Sequence, residues 1–412
     1  MRQNRPLIKY LVSSPYGDIP VDKNKWDLPL EGDSLKTPYR IYFHSIKDFL
    51  TQDDFKPLLY SVNKKLGREI HLKEINEIIV RSEKHGFLYH PASAEVILKQ
   101  GRVNPVRKGQ VLNEAGLSNG VKFGLNVAIS EVGKDWLREE FSVLKRLNTK
   151  FNLPYLPEPY FFGELNAMSF LLEDWLEGYH EFHISKDDKG KQRLKLWDFD
   201  SGYKYLSSEQ SFEVYKQASK ILTLYYDLND FSQIYPWHHA AGDFVVKIEE
   251  EKNPPLPPLN SPLTKRGYRG VKGGMGGFSD RKIDVRFTTA RRYEPFIGFV
   301  EKDTLNPILA MCYYLLDLTI RMRLDKLDGL GEAVWADDNC VEATLTGFFE
   351  ALREKGAEDF TILLQSFTPE ELKTIFDPLI DHYRGTGDFP IIISNLNKHI
   401  DKLYAILQTL PL

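Results

Sequence analysis

Residues 122–179, KFGLNVAISEVGKDWLREEFSVLKRLNTKFNLPYLPEPYFFGELNAMSFLLEDWLEGY, decide the fold. Residues 122–130 alternate apolar and polar side chains, the mark of a strand with one buried face. Residues 134–148 switch to helical spacing, with Trp136, Phe141, Leu144 and Leu147 on one stripe. PEPYFFGEL (157–165) and AMSFLLEDWLEGY (167–179) then return to strand composition. Upstream, residues 76–98 read as two β-runs around a turn at Lys84-His85-Gly86. The order is strand, strand, strand, helix, strand, strand.

Downstream, residues 180–199 read as a hairpin with its turn at Asp187-Asp188-Lys189-Gly190. Ser207 and Gln210 form a capping box that opens a long amphipathic helix to about Asn229. Beyond Pro295 the pattern is mostly helical. Asn306-Pro307 and Thr368-Pro369 each place an N-cap residue before a proline suited to the first helical position. The chain is therefore expected to be α+β, with a β-rich N-terminal half and a helical C-terminal half. Residues 1–70 carry no readable role.

Bulk composition narrows the class. The chain has 412 residues, 42% of them apolar and 27% charged, which suits a soluble globular protein of two or three units. Net charge is −4, which argues against nucleic acid as the main partner. Cys312 and Cys340 are the two cysteines, so neither a disulfide scaffold nor a zinc cluster is expected, and a reducing compartment fits. The N-terminal apolar run is interrupted by Lys9 and is too short for a secretion signal. The run at 307–320 contains Asp317 and falls short of a membrane span. A cytoplasmic protein without a membrane partner is expected. Residues 253–278, Pro-rich and then Gly-rich, read as a low-complexity insertion without a packed core. The sharper reading, a basic phosphate- or partner-binding loop, rests on Lys265, Arg266, Arg269 and Lys272.

The segment WHHAAGDFVV (237–246) sets one carboxylate, Asp243, between a small-residue turn and an apolar run. With residues 253–278 set aside, Asp243 is followed by a strand, a turn, a strand and Asp284. A hairpin of that kind is expected to bring both carboxylates to one end, facing one cleft. One would take a proton from an attacking hydroxyl and the other would hold Mg²⁺. The plainer readings are a turn residue capping backbone N–H groups for Asp243 and a strand-edge charge for Asp284. His239 is expected to buttress the turn by hydrogen bonds. His180 and His183 are too isolated for a metal site. Arg286, Arg291 and Arg292 read either as clamps for a phosphate or acidic group or as a solvated charged face. Asp198-Phe199-Asp200 looks like a metal motif, but it precedes the Asp243 turn and reads as a hairpin end.

In this order the motifs resemble the protein-kinase-like superfamily, in its aminoglycoside phosphotransferase and choline kinase branch. EEFSVLKRL (139–147) is similar to the family's ion-pairing helix and puts Glu140 at its glutamate. LPYLPEPYFFGE (153–164) is similar to the approach to the fourth strand. FLLEDWLEG (170–178) is similar to the hinge, with adenine on the backbone of Leu172, Glu173, Asp174 and Trp175. AAGDF stands at the catalytic loop with Asp243 as base, and KID (282–284) puts Asp284 at the metal ligand. The resemblance implies a two-lobed kinase-like fold, with an N-lobe over 71–175 and a C-lobe over 176–412. It also implies ATP and Mg²⁺ as cofactors and a small-molecule hydroxyl as acceptor. The chain departs from the pattern at three positions. Ala241 replaces the loop histidine, Ile248 falls where the metal-binding Asn is expected, and Ser130 falls where the third-strand Lys is expected. These departures carry the competing expectation, a kinase-shaped binding or regulatory module impaired in catalysis.

Overall fold

The computed structural model describes residues 5–14, 17–83, 88–99, 120–198, 202–249, 282–295 and 306–409. The insertion at 253–278, the turn at Lys84-His85-Gly86 and residues Phe199-Asp200 lie outside them. Among the described residues the chain is mixed α+β, with a sheet-rich N-terminal region and a helical C-terminal part.

The N-terminal region contains β1 (Leu7–Val12), β2 (Ile19–Pro20), α1 (Tyr39–Leu66), β3 (Ile75–Ser82), β4 (Ala92–Leu98), β5 (Gly120–Ala128), α2 (Glu131–Phe151), β6 (Pro159–Leu165) and β7 (Met168–Asp174). Its seven-stranded sheet runs β2-β1-β3-β4-β5-β7-β6. Every pair is antiparallel except β1 with β3. Alternation gives the sheet two different faces. Val121, Phe123, Leu125 and Val127 of β5, with Phe170 and Leu172 of β7, pack into a core with Phe43, Ile46, Phe49 and Leu58 of α1. Phe49 stacks on Phe170 at 4.6 Å. Among the described residues, α1 and β1 share one core with β3–β7, and β1 pairs with β3.

The opposite face of the sheet meets α2. Ser130 caps this helix by accepting from the Gly133 N–H at 3.1 Å. The stripe that α2 buries is Leu137, Glu140, Val143, Leu144 and Leu147, while Trp136 and Phe141 are only partly covered. The apolar spacing therefore located the helix but set the centre of its buried face slightly off, and Glu140 lies within that face.

The C-terminal part is less purely helical than its composition suggests. It begins with β8 (His180–Lys186), β9 (Gln192–Asp198) and β10 (Gly202–Tyr205), followed by α3 (Ser208–Tyr225), β11 (Ser232–Tyr235), β12 (Phe244–Glu249), β13 (Lys282–Phe287) and β14 (Arg292–Pro295). The hairpin of β8 and β9 belongs to a five-stranded sheet, β10-β9-β8-β12-β13. Its turn is closed by Asp187, whose carboxylate accepts from the backbone of Lys189 and Lys191. The capping box of α3 is complete, Gln210 N–H to Ser207 Oγ and Ser207 N–H to Gln210 Oε1. The helix stops at Tyr225, about one turn earlier than its sequence pattern suggests. Gln217 of α3 bonds the outer edge of β13, donating to Ile283 O and accepting from Val285 N, and so stands in for a further strand.

The remainder is α4 (Pro307–Arg323), the short pair β15 (Leu324–Lys326) and β16 (Ala333–Trp335), α5 (Asp338–Glu354), α6 (Asp359–Ser366), α7 (Pro369–Tyr383) and α8 (Phe389–Leu407). Asn306 and Thr368 cap α4 and α7 as expected. No described helix is long and apolar enough to cross a membrane.

Helix α5 meets α3 backbone to backbone at Gly347. A methyl group there would overlap the Lys216 carbonyl oxygen and crowd the Lys220 nitrogen. Gly347→Ala is expected to lower stability by about 3 kcal/mol in urea unfolding, the cost of overpacking against atoms that cannot rotate away. Gly356→Ala, with no atom near its new methyl group, is the comparison that isolates the backbone effect of its positive φ of 66°.

Candidate functional site

Asp243 sits at the start of β12, after a single 3₁₀ turn over His239–Ala241. Gly242 makes this turn possible. Its φ is +69°, and a Cβ there would strike Glu181 Oε1 at 2.7 Å. The Asp243 side chain is only 1% exposed. Its Oδ2 accepts from the His238 backbone N–H at 2.8 Å and from Arg291 Nη1 at 3.0 Å. Its Oδ1 accepts from Arg291 Nη2 at 2.7 Å. The pair is a two-pronged guanidinium–carboxylate contact, the strongest geometry available to these groups. The carboxylate caps a turn N–H, as the plain reading has it, and beyond that reading it anchors a buried ion pair.

Around this pair lie two further buried carboxyl groups. Glu140, from α2, is fully buried. Its Oε1 accepts from the Thr289 hydroxyl, and its Oε2 has no hydrogen-bond partner. Burial pushes its carboxyl up, with the Arg291 charge pulling the other way. Glu173, on the α2-facing side of β7, accepts from Asn126 Nδ2 at 2.9 Å through Oε1, and its Oε2 is likewise unpartnered. Burial, then the Glu140 charge, raise it well above the ordinary glutamate range. The hydroxyl of Tyr89, beside Glu140, and Nε of Arg291 are buried without partners as well. Arg291 stays charged, because Asp243 and then Glu140 outweigh its desolvation.

Asp284 is elsewhere. The β12–β13 hairpin forms as expected, but its register sets Phe244 opposite Phe287 and Lys247 opposite Asp284. Asp284 is therefore four residues along the strand from the level of Asp243, about 13 Å at a strand's rise. The residue across from Asp243 is Thr288, whose N–H donates to the Asp243 carbonyl at 2.8 Å. This corrects the expectation that one hairpin end gathers both carboxylates. In an antiparallel pair, a residue just before the first strand faces one just after the second, and Asp284 is in the middle of β13. Its Oδ2 accepts from Tyr179 at 2.7 Å and from Arg286 Nη2 at 2.9 Å.

Ser130 is a helix cap. Lys134 pairs with Glu131, and the Lys122 ammonium lies 3.8 Å over the Trp175 ring. The cation beside Glu140 is Arg291 instead. Leu172, Glu173 and Asp174 are in the interior of the sheet, with β5 pairing on one side and β6 on the other, and the Asp174 N–H donates to Glu158 O. Arg292 lies over Trp136 and pairs with Glu139. His239 is enclosed by Phe182, Tyr215, Trp237 and Phe244, with ring centroids 5.3–5.9 Å away. Burial drives it down to about 4, so it is a neutral group held among these rings at the turn. His183 is clamped between Asp325 at 3.4 Å and Glu181 at 3.7 Å, which together raise it to about 9 against the opposing effect of burial.

These positions decide how well Mg²⁺ and ATP fit. Mg²⁺ holds its oxygens at about 2.1 Å, whereas Asp284 lies four residues along the hairpin from the level of Asp243, with its Oδ2 accepting from Tyr179 and Arg286. Both Asp243 oxygens are held by a guanidinium, and among the described residues no group of three or more His, Cys, Asp or Glu side chains is placed to hold a metal ion. The backbone of 172–174 is committed to the sheet, while Trp175 lies just past the end of β7 and outside its pairing. Asp243 and Asp284 therefore do not form one Mg²⁺ site in this arrangement.

Glu140 and Glu173 resist ionisation in the folded chain more than in the unfolded one. Folded carboxyl groups with raised pKa bind protons more tightly, so their contribution grows as pH falls from neutral toward the ordinary carboxylate range, and is lost as pH rises through the folded value. Glu173→Gln removes the charge and keeps the shape. It is expected to stabilise the protein at pH 8 by on the order of 1 kcal/mol and to flatten the stability-versus-pH curve above pH 5, measured by urea unfolding.

Compared with known proteins, no family model matches this chain, and no curated protein matches it.

Proposed function

We propose that this chain is a kinase-like protein of the small-molecule-phosphotransferase type that acts as a binding or regulatory module and does not carry out Mg²⁺-dependent phosphoryl transfer. The carrying observation is the burial of Asp243 under Arg291, at 1% exposure with both oxygens engaged. A general base must bring a free lone pair within about 3 Å of the substrate hydroxyl, and Asp243 has no open approach for one. The order of β3, β4, β5, α2, β6 and β7, with Glu140 aimed inward from α2, supports the kinase-like part of the reading. So does the β12–β13 hairpin that follows the Asp243 turn.

In the competing reading, ATP and Mg²⁺ serve a phosphotransferase acting on a small-molecule hydroxyl, with Asp243 as base and Asp284 as metal ligand. That reading requires Arg291 to leave Asp243 and the β12–β13 register to change, two costly rearrangements in a packed core. A cytoplasmic, reducing setting suits either reading, since Cys312 and Cys340 are free and buried.

Calorimetric titration with Mg·ATP and a sensitive assay of ATP turnover separate the two. The expected result is no saturable heat and no turnover above a boiled control. ATP-dependent transfer to any hydroxyl acceptor, abolished by Asp243→Asn, would overturn the proposal.

A further inference from the structure

We infer that His238 is a proton-operated clasp on the turn that carries Asp243: its neutral ring holds the turn, and its protonated ring leaves the turn for Asp388, on the loop between α7 and α8. The inference goes beyond the binding-module reading and holds for either account of Asp243.

His238 caps the 3₁₀ turn over His239–Ala241 with its own ring, whose Nδ1 accepts from the Ala240 N–H at 3.0 Å. A backbone N–H can only donate, so Nδ1 holds a lone pair and the proton of the neutral ring sits on Nε2. Protonation puts a hydrogen on Nδ1 as well, and two donors then face each other. The ring must give up the cap. The backbone N–H of the same residue donates to Asp243 Oδ2 at 2.8 Å, so the cap and the seat of the carboxylate are joined in one residue.

A second partner for the ring is in place. Nε2 stops 3.9 Å from Asp388 Oδ2, too far for a hydrogen bond and near enough for a charged ring to close on. Asp388 is the N-cap residue of α8, yet its side chain makes no capping bond to that helix. It ends the connection Arg384-Gly385-Thr386-Gly387-Asp388, and a methyl group added at either glycine would meet nothing within 4 Å, so the loop has space to follow the ring. The two side chains are 25% and 30% exposed, open to protons from solvent. Burial holds the ring below the ordinary histidine value of 6.5; Asp388, Asp325 of β15 and Asp243 pull the other way, and Arg321 of α4 adds to the effect of burial. A ring lowered in the folded chain contributes stability above its unfolded value, and that contribution is lost as pH falls through the folded value.

The test is hydrogen exchange read by mass spectrometry on peptides spanning residues 237–243, in wild type, His238→Asn and Asp388→Asn. The pH runs from about 7.5 down to about 5, with the pH dependence of the exchange chemistry divided out. The window stays above His239, which is down at about 4. In wild type the protection of the turn is expected to fall with pH, by up to about tenfold per pH unit once His238 gains its proton. Asparagine caps the same N–H without titrating, so His238→Asn is expected to keep its protection across the window. Asp388→Asn removes the second partner and is expected to move the fall to lower pH.

Wild type and His238→Asn losing protection in parallel, or neither losing it, would overturn the inference. A fall in Asp388→Asn at the wild-type pH removes Asp388 from it. If His238→Asn does not fold, the wild-type ring is titrated by NMR, and a ring that gains its proton while the turn stays protected overturns the clasp. ATP turnover in wild type would remove the proposed function and leave this inference standing.

Discussion

The contact on which the central region depends is the buried ion pair of Arg291 with Asp243. It ties the loop after β13 to the turn before β12 and faces Glu140 on α2. Taking either partner out of water is costly, and the cost is recovered only when geometry is good and the remaining donors are met. Here the contact is two-pronged, and the His238 N–H adds a third bond to Asp243. Several consequences follow from this arrangement. Gly242 takes the positive φ of 69° that the turn requires. Thr288 must lie across from Asp243 for Arg291 to come round. Glu140 is held close to a cation that another carboxylate has already claimed.

The surplus of buried acid explains the polar atoms left unmatched. One guanidinium serves Asp243 and, electrostatically, Glu140. Glu140 and Glu173 respond by resisting ionisation, which lessens the repulsion between them. Buried unpartnered polar atoms are uncommon in a native core, and here Tyr89, Glu140, Glu173 and Arg291 each have one. Their concentration on the α2 side of the N-terminal sheet sets this region apart from the apolar core under α1, which is filled by ring and aliphatic contacts.

Much of the architecture was legible from local chemistry. The capping box at Ser207 and the N-caps at Asn306 and Thr368 depend on residues a few positions apart, and all form. The alternation in 122–130 and the helical spacing in 134–148 specify a strand and a helix, and both are present. The role of the first 70 residues was not legible, because α1 is broken at Gln52–Phe55 and its pairing with β3–β7 is a long-range contact. Within the site, the sequence pointed to Asp243 and Glu140, but spacing alone cannot fix strand register, and a register of Lys247 against Asp284 separates the two aspartates. The partner of Asp243 was not identified: Arg286, Arg291 and Arg292 read as clamps for a phosphate or acidic group or as a solvated face, and Arg291 lies in the loop after β13. Choosing among them required knowing where the chain turns after Phe287.

The central claim is that Asp243 and Arg291 act on each other and not on a substrate or metal. A double-mutant cycle with Asp243→Asn, Arg291→Met and both together, read as urea-unfolding free energies, measures that coupling directly. The account expects a coupling of about 2–3 kcal/mol, with the double variant more stable than the sum of the single losses allows. A coupling below about 0.5 kcal/mol, as for independent surface charges, would contradict it.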